Sequence, residues 1–227
     1  MTRYFLAFLV VVCAAAEAAA QARQPARPPV RPQPAPVRAT TSVRGFADIG
    51  FTTFTARDSF EATLGSATGA MFGGGAEVVL PQNIFFGVRV SRFTAEGERV
   101  FVSGGQTFPL GIPMSVTITP VLLTGGLRFG TPRSTVLPYV GGGIGWHRYQ
   151  ETSDFAGSDD DVDETFQGYH VLGGAEYRIS RLLGIAGEAQ WARVPDALGQ
   201  NPLSASAEFG DTDLGGFTVR VKVVIGR

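Results

Sequence analysis

Cysteine is nearly missing from this chain: there is one in 227 residues, Cys13. A single thiol cannot form an intrachain disulfide, so the fold neither needs nor risks such bridges in an oxidising compartment. Long apolar runs are also missing. After the first 22 residues no stretch approaches ~18 uninterrupted apolar residues, which excludes a transmembrane helix there. Charge of one sign is missing too. The net charge is -1, so nothing draws the whole chain to nucleic acid, and no nucleic-acid partner is expected. No phosphate-binding loop is legible. The glycines of Gly141–Gly145 sit inside an alternating segment with no helix after them, which fails the context test for a dinucleotide site. No cofactor and no metal site is expected. What the chain has in quantity is glycine, 30 residues, about twice the usual share of ~7 %. Phenylalanine is also heavy, with 17 against two Trp and five Tyr.

The N-terminus reads as an address. Arg3 supplies a positive start, Phe5 to Val12 an apolar stretch too short to span a bilayer, and Ala18-Ala19-Ala20 the small residues a signal peptidase reads. Residues 1–22 are therefore expected to be a signal peptide, cut before Gln21 or just after Ala22. A lipid on Cys13 would want a small residue ahead of it, and Val12 is not small. Residues 23–44 follow as a proline-rich basic tether. Pro25, Pro28, Pro29, Pro32, Pro34 and Pro36 deny it helix or sheet, and such a run extends as a semi-rigid spacer. Arg23, Arg27, Arg31, Arg38 and Arg44 charge it. A solvated periplasmic linker is the preferred reading over contact with an anionic partner such as cell-wall polymer or lipid head groups.

From residue 45 to 227 one pattern repeats: apolar and polar residues alternate with period two, as on a strand whose successive side chains face opposite sides. The last strand is the clearest. Phe217, Val219, Val221, Val223 and Ile225 share one face, and Thr218, Arg220, Lys222 and Val224 the other. Seven earlier strands are read the same way, at about Gly45–Thr55, Thr68–Leu80, Ile84–Thr94, Val116–Phe129, Leu137–Tyr149, Gln167–Ile179 and Leu183–Val194. The fourth is apolar on both sides. Placing Val121, Leu123, Leu127 and Phe129 outward turns Arg128 inward. Connections alternate short (Pro81-Gln82-Asn83, 130–136, Ser180-Arg181-Leu182) and long (56–67, 95–115, 150–166, 195–213). That rhythm fits a membrane barrel with short periplasmic turns and long external loops, and an even strand count puts both termini in the periplasm.

A soluble barrel buries its apolar face, whereas a membrane barrel turns it outward. The charged face here is glycine-rich, which suits a crowded interior. Trp146, Tyr169, Tyr177 and Trp191 lie toward strand ends on the apolar face, where interfacial aromatic girdles belong. The expected fold is an all-β, eight-stranded antiparallel up-and-down transmembrane β-barrel. The segments TPVLLTGGLRFG and LPYVGGGIGW, with the alternating last strand, resemble the OmpA/OmpX-type family of small outer-membrane barrels, with its porin-like β-barrel domain. The resemblance covers about residues 43–227 and includes no counterpart of the cell-wall-binding domain of larger members. It implies a cell outer-membrane protein of a Gram-negative bacterium whose last strand is read by the barrel-insertion machinery. This chain departs by ending Ile225-Gly226-Arg227 rather than in phenylalanine, which bears on insertion efficiency. The implied partners are outer-membrane lipid and lipopolysaccharide, with a monomeric barrel.

The inward charges are the nearest thing to a site. Asp48, Glu77, Glu176 and Glu188 are acids there; Arg89, Arg178, Arg220 and Lys222 are bases, equal in number. Glu77 is expected beside Arg89, and Arg220 and Lys222 beside Asp48 and Glu188. A charge alone in a lumen is costly and a paired one persists, so a self-satisfied network is preferred over a gate. Balanced sign argues against a strongly ion-selective pore. The external loops are acidic (Asp154, Asp159, Asp160, Asp161, Asp163 and Glu164, then Asp196, Glu208, Asp211 and Asp213) but lack the spacing of an EF-hand. His147 and His170 face inward without a neighbouring nucleophile in sequence, so no catalytic residue is assigned. The expected function is a non-enzymatic integral outer-membrane barrel with a structural or surface-interaction role. The rivals are a narrow gated channel for ions or small solutes, and an outer-membrane lipid-modifying enzyme.

Overall fold

The computed structural model describes residues 41–103, 106–131, 133–153, 161–200 and 204–226. The segments expected to be a signal peptide and most of a tether, and the loop acids Asp154, Asp159 and Asp160, lie outside these residues.

Eight antiparallel strands close on themselves in chain order. They are β1 Ser42–Phe54, β2 Thr68–Val79, β3 Ile84–Ser103, β4 Gln106–Arg128, β5 Val136–Thr152, β6 Val162–Arg178, β7 Leu183–Arg193 and β8 Gly216–Gly226. β1 pairs with β8 from Arg44↔Gly226 to Phe54↔Gly216, which closes the sheet into a barrel. Two short helices, α1 Arg57–Leu64 and α2 Ala205–Phe209, lie in the first and last long connections.

The period-two pattern fixes which side chain goes where. In β7 exposure alternates residue by residue along the whole strand. Outward stand Ile49, Phe51, Phe72, Phe86, Leu123, Ile144, Val171, Ile185, Val219 and Val221; inward stand Asp48, Glu77, Arg89, Arg128, Glu176, Glu188, Arg220 and Lys222. Leu123, Leu127 and Phe129 of the ambiguous fourth strand are exposed and Arg128 is buried, as the sequence pattern predicts. Apolar outside and ionic inside is the inverse of a soluble barrel and suits a hydrocarbon solvent. Trp146, Tyr169, Trp191 and Phe217 ring the outer surface near the long-loop end, with Tyr169 edge-on to Trp191 at 6.0 Å between centroids.

The tight turns are built from local chemistry. At the β2–β3 turn Asn83 donates its N–H to the Leu80 carbonyl at 3.0 Å, Pro81 sits where its fixed φ is favoured, and Asn83 takes the left-handed conformation at φ 62° that asparagine tolerates. Interior glycines leave room for large rings. A Cβ on Gly174 would stand 2.7 Å from the Tyr139 ring, and one on Gly75 2.8 Å from the Phe46 ring.

Three boundaries differ from the sequence reading. β1 starts at Ser42, so Arg44 is a barrel residue and not the last cation of the tether. The expected loop 95–115 is mostly strand: β3 and β4 run on as a hairpin that pairs Ser103 with Gln106, with a register shift between Glu98 and Val100. The connection 150–166 likewise shortens, because β5 reaches Thr152 and β6 begins at Val162. Ladder pairing continues past the end of the apolar alternation, and the alternation was what marked the strand ends.

Candidate functional site in the barrel lumen

The lumen is filled in two ionic layers and one apolar layer. Nearest the tight turns, Arg44 (β1) and Arg128 (β4) share Glu77 (β2) and Glu176 (β6). Arg44 Nη1 donates to both Glu176 oxygens at 2.9 Å, and its Nη2 donates to Glu77. Arg128 donates to Glu176 at 2.8 Å and to Glu77 at 2.7 Å. Two bidentate-capable cations on two carboxylates is the strong form of ion pairing. Arg178 stands at the mouth, a third exposed and 3.9 Å from Glu176. A recess of about 690 Å³ opens there, with Arg128, Arg178, Arg181 and Glu176 in its lining.

The second layer centres on Glu188. Its carboxylate accepts from Arg89 Nη1 at 2.6 Å, from Lys222 Nζ at 3.0 Å and from the Tyr139 hydroxyl at 3.0 Å. Arg220 Nε lies 3.8 Å away, and Asp48 faces Arg89 Nε at 3.3 Å. Rings sandwich the cations: Lys222 Nζ is 4.9 Å from the Phe46 centroid and 4.8 Å from that of Tyr139. Such contacts stabilise a desolvated cation by ~2 kcal/mol. Just above, Thr52 and Thr218 hydroxyls meet at 2.8 Å, and His170 Nε2 meets the Thr124 hydroxyl at 2.9 Å.

Compared with protein-family models and with curated proteins, the sequence has no match. Among solved structures it is similar to Neisserial surface protein A, at 16% identity and a TM-score of 0.50, over 82% of this chain and 96% of that one. It is also similar to the N-terminal β-barrel domain of Pseudomonas aeruginosa OprF (14% identity, TM-score 0.45, 82% and 97% covered). A third is Ail, the attachment invasion locus protein of Yersinia pestis (10% identity, TM-score 0.42, 83% and 100% covered). The chain has the fold of the small eight-stranded outer-membrane barrels.

This barrel carries an apolar plug at its long-loop end. Phe54, Phe60, Met71, Phe93, Met114, Val116, Ile118, Val194, Leu198 and Leu214 form one buried cluster, against which Leu64, Tyr149 and Phe166 pack. Phe54 contacts Phe60 at 4.8 Å and Phe93 at 4.9 Å between centroids. α1 is thus folded into the mouth by Phe60. The loop acids help to hold it. Asp211 accepts from the Ser59 N–H at 3.0 Å and hydroxyl at 2.6 Å. Asp213 accepts from the Val194 and Gly215 N–H groups at 2.9 and 2.7 Å. Asp163 instead forms a fork with Arg148 on the surface. Asp211, Asp213 and Asp163 are therefore engaged as caps and clamps within the protein.

The lumen pairing corrects the sequence reading in three places. Arg89 does not pair with Glu77: its cross-strand neighbour is Gly75, and its long side chain crosses the lumen to Glu188 and Asp48. Asp48 is taken by Arg89, not by Arg220 or Lys222. The charges are also unequal. Among the described residues five bases are buried, Arg44, Arg89, Arg128, Arg220 and Lys222, against the four acids, with Arg178 extra at the mouth. Arg44 was missed because its neighbours on the N-terminal side are tether-like in composition. Its parity with Phe46 and Asp48 was the available signal. Tyr139 carries no charge and left no trace in a search for ionisable pairs.

Proposed function

We propose that this protein is a non-enzymatic integral outer-membrane barrel, a rigid closed support that presents its long-loop face outside the cell. The observation that carries this reading is the double filling of the lumen: a shared ion network in the half near the tight turns and the Phe54–Phe60–Phe93 plug in the other. A barrel of this strand number has an interior just wide enough for side chains, and here they occupy it at both levels. The outward band of Val, Ile, Phe and Leu favours lipid and lipopolysaccharide as its surroundings. The even strand count favours a periplasmic side for both ends of the barrel and for the basic tether.

Planar-bilayer recording on the folded barrel tests it, with Arg220→Ala and Glu188→Ala alongside. Silence from protein shown to be inserted is the expected result. A steady or gated current that changes in those variants would replace this reading with the narrow channel. One observation favours that rival: Glu188 is shared by Arg89, Lys222 and Tyr139, an arrangement in which partners can exchange. Opening would then also require the apolar plug to move. The lipid-modifying enzyme is disfavoured by the histidines themselves. Among the described residues neither His147 Nδ1 nor His170 Nδ1 has a hydrogen-bond partner, so no carboxylate orients either ring through that nitrogen. Unchanged surface lipid in His147→Ala and His170→Ala cells is expected, and altered lipid would restore the enzyme.

A further inference from the structure

The charge excess in the lumen is localised. Counting buried charges, the layer near the tight turns balances, with Arg44 and Arg128 on Glu77 and Glu176 and Arg178 part-exposed at its mouth. The Glu188 layer does not. Among the described residues Arg89, Lys222 and Arg220, three bases, make their ion-pair contacts with two acids, Asp48 and Glu188. The residue left over is Arg220. It is 3 % exposed, and among the described residues its one ion-pair contact is the 3.8 Å approach to Glu188 and its Nε and Nη1 have no hydrogen-bond partner. A buried cation that shares one carboxylate with two other bases, at the longest of the three distances and with two donors unbonded, is under-compensated, and that is costly in a protein interior.

A small cavity lies beside it. Between the ion network and the apolar plug is a cavity of about 30 Å³, lined by Arg220 with Ser91, Thr218, Gln190 and His147 among others. Ser91 Oγ and His147 Nδ1 are both buried and without partners. Three orphaned polar groups thus line one cavity, of a size that holds about one water-sized particle. Water would satisfy hydrogen bonds there but would leave the positive charge in place.

We propose that this cavity is a binding site for one small monovalent anion of halide size, held by the Arg220 guanidinium and the Ser91 hydroxyl. The guanidinium supplies the charge and the hydroxyl a donor, and the anion completes the neutrality of the Glu188 layer. Phe54, Met71, Ile118 and Leu214 of the apolar plug form part of its wall, so the anion is a structural component rather than a permeating ion. The small volume favours a monatomic ion over sulfate, phosphate or a carboxylate.

The test is thermal unfolding of the folded, detergent-solubilised barrel in sodium chloride, bromide or gluconate at matched ionic strength, with Arg220→Met and Ser91→Ala alongside. Each sample is first shown to be folded by its heat-modifiable gel mobility. Chloride and bromide are expected to raise the unfolding midpoint saturably over gluconate in the wild type. The Ser91→Ala variant should need several-fold more halide, and Arg220→Met should lose the response. Crystals grown in bromide should carry an anomalous peak beside Arg220. Equal midpoints in all three salts, or a halide effect of the same size in every variant, would overturn the proposal. So would bromide crystals with no anomalous peak in the cavity. Should Arg220→Met fail to fold, the Ser91→Ala titration and the bromide crystal still decide it.

Discussion

The Tyr139 hydroxyl on β5 donates to Glu188 on β7, 3.0 Å away, while its ring covers the Lys222 ammonium that binds the same carboxylate. One aromatic residue therefore serves both ends of an ion pair. Tyr139→Phe keeps the ring and removes the donor. It should fold and lose about 1.5–3 kcal/mol, the range for a hydrogen bond to a charged group. Urea unfolding in lipid vesicles would measure it. A loss of that size should disappear in a Glu188→Gln background, where the acceptor is no longer an anion.

Arg44→Met should behave as a core mutation although the residue follows a tether-like segment. It leaves Glu77 and Glu176 with Arg128 as their remaining buried cation. Breaking a buried pair costs ~3–5 kcal/mol. Arg178→Met, at a partly exposed position 3.9 Å from the same Glu176, should cost under ~1 kcal/mol. Equal effects of the two in urea unfolding would mean that Arg44 is not seated in the lumen as described.

Gly174→Ala tests how tightly the interior is filled. The added methyl would meet the Gly187 carbonyl oxygen at 2.4 Å and the Tyr139 ring at 2.7 Å. The backbone oxygen cannot swing aside, so a loss of about 1–3 kcal/mol or more is expected, as for overpacked cores. Gly187→Ala, where the methyl meets nothing within 4 Å, is the matched control and should be close to neutral.

Phe60→Ala should unseat α1. Phe60 is 3 % exposed and anchors the helix to Phe54, and truncating a buried phenylalanine costs ~3–5 kcal/mol where the site cannot collapse. Because α1 is at the mouth, the loss should fall on local rather than global stability. Amide exchange should quicken across Arg57–Leu64 while the strand amides of β5–β8 stay protected. Uniform quickening of all strands would contradict a separately seated plug.

Facing was legible in the sequence because period-two alternation reports it directly; Asp48, Glu77 and Lys222 fell on the inward side for that reason alone. Topology was legible because tight turns such as Pro81-Gln82-Asn83 alternate with long connections. Partner choice was not legible. Hairpin reasoning assigns a charge to its cross-strand neighbour, yet Arg89 reaches across the lumen from β3 to β7. In a narrow closed barrel the opposite wall is as close as the adjacent strand for a side chain of that length. The plug was hidden for another reason. Its residues, among them Phe60 from a loop and Ile118 from a strand that is apolar on both faces, have no shared period in the sequence.

The ion network also divides the chain in a way that constrains its assembly. Arg44 meets a carboxylate 132 residues later, and Arg89 and Arg128 likewise find theirs on β6 and β7. The first four strands alone hold three of the buried bases and two of the acids; the last four hold the complementary acids, Glu176 and Glu188. The last four strands also hold Arg220 and Lys222 and balance, but the first four carry one base more than they have acids, so a sheet inserted only that far takes a stranded cation toward hydrocarbon. Closure of β1 on β8 and neutralisation of the interior are therefore one cooperative event, and an arrested half-barrel is not a stable stopping point for this sequence.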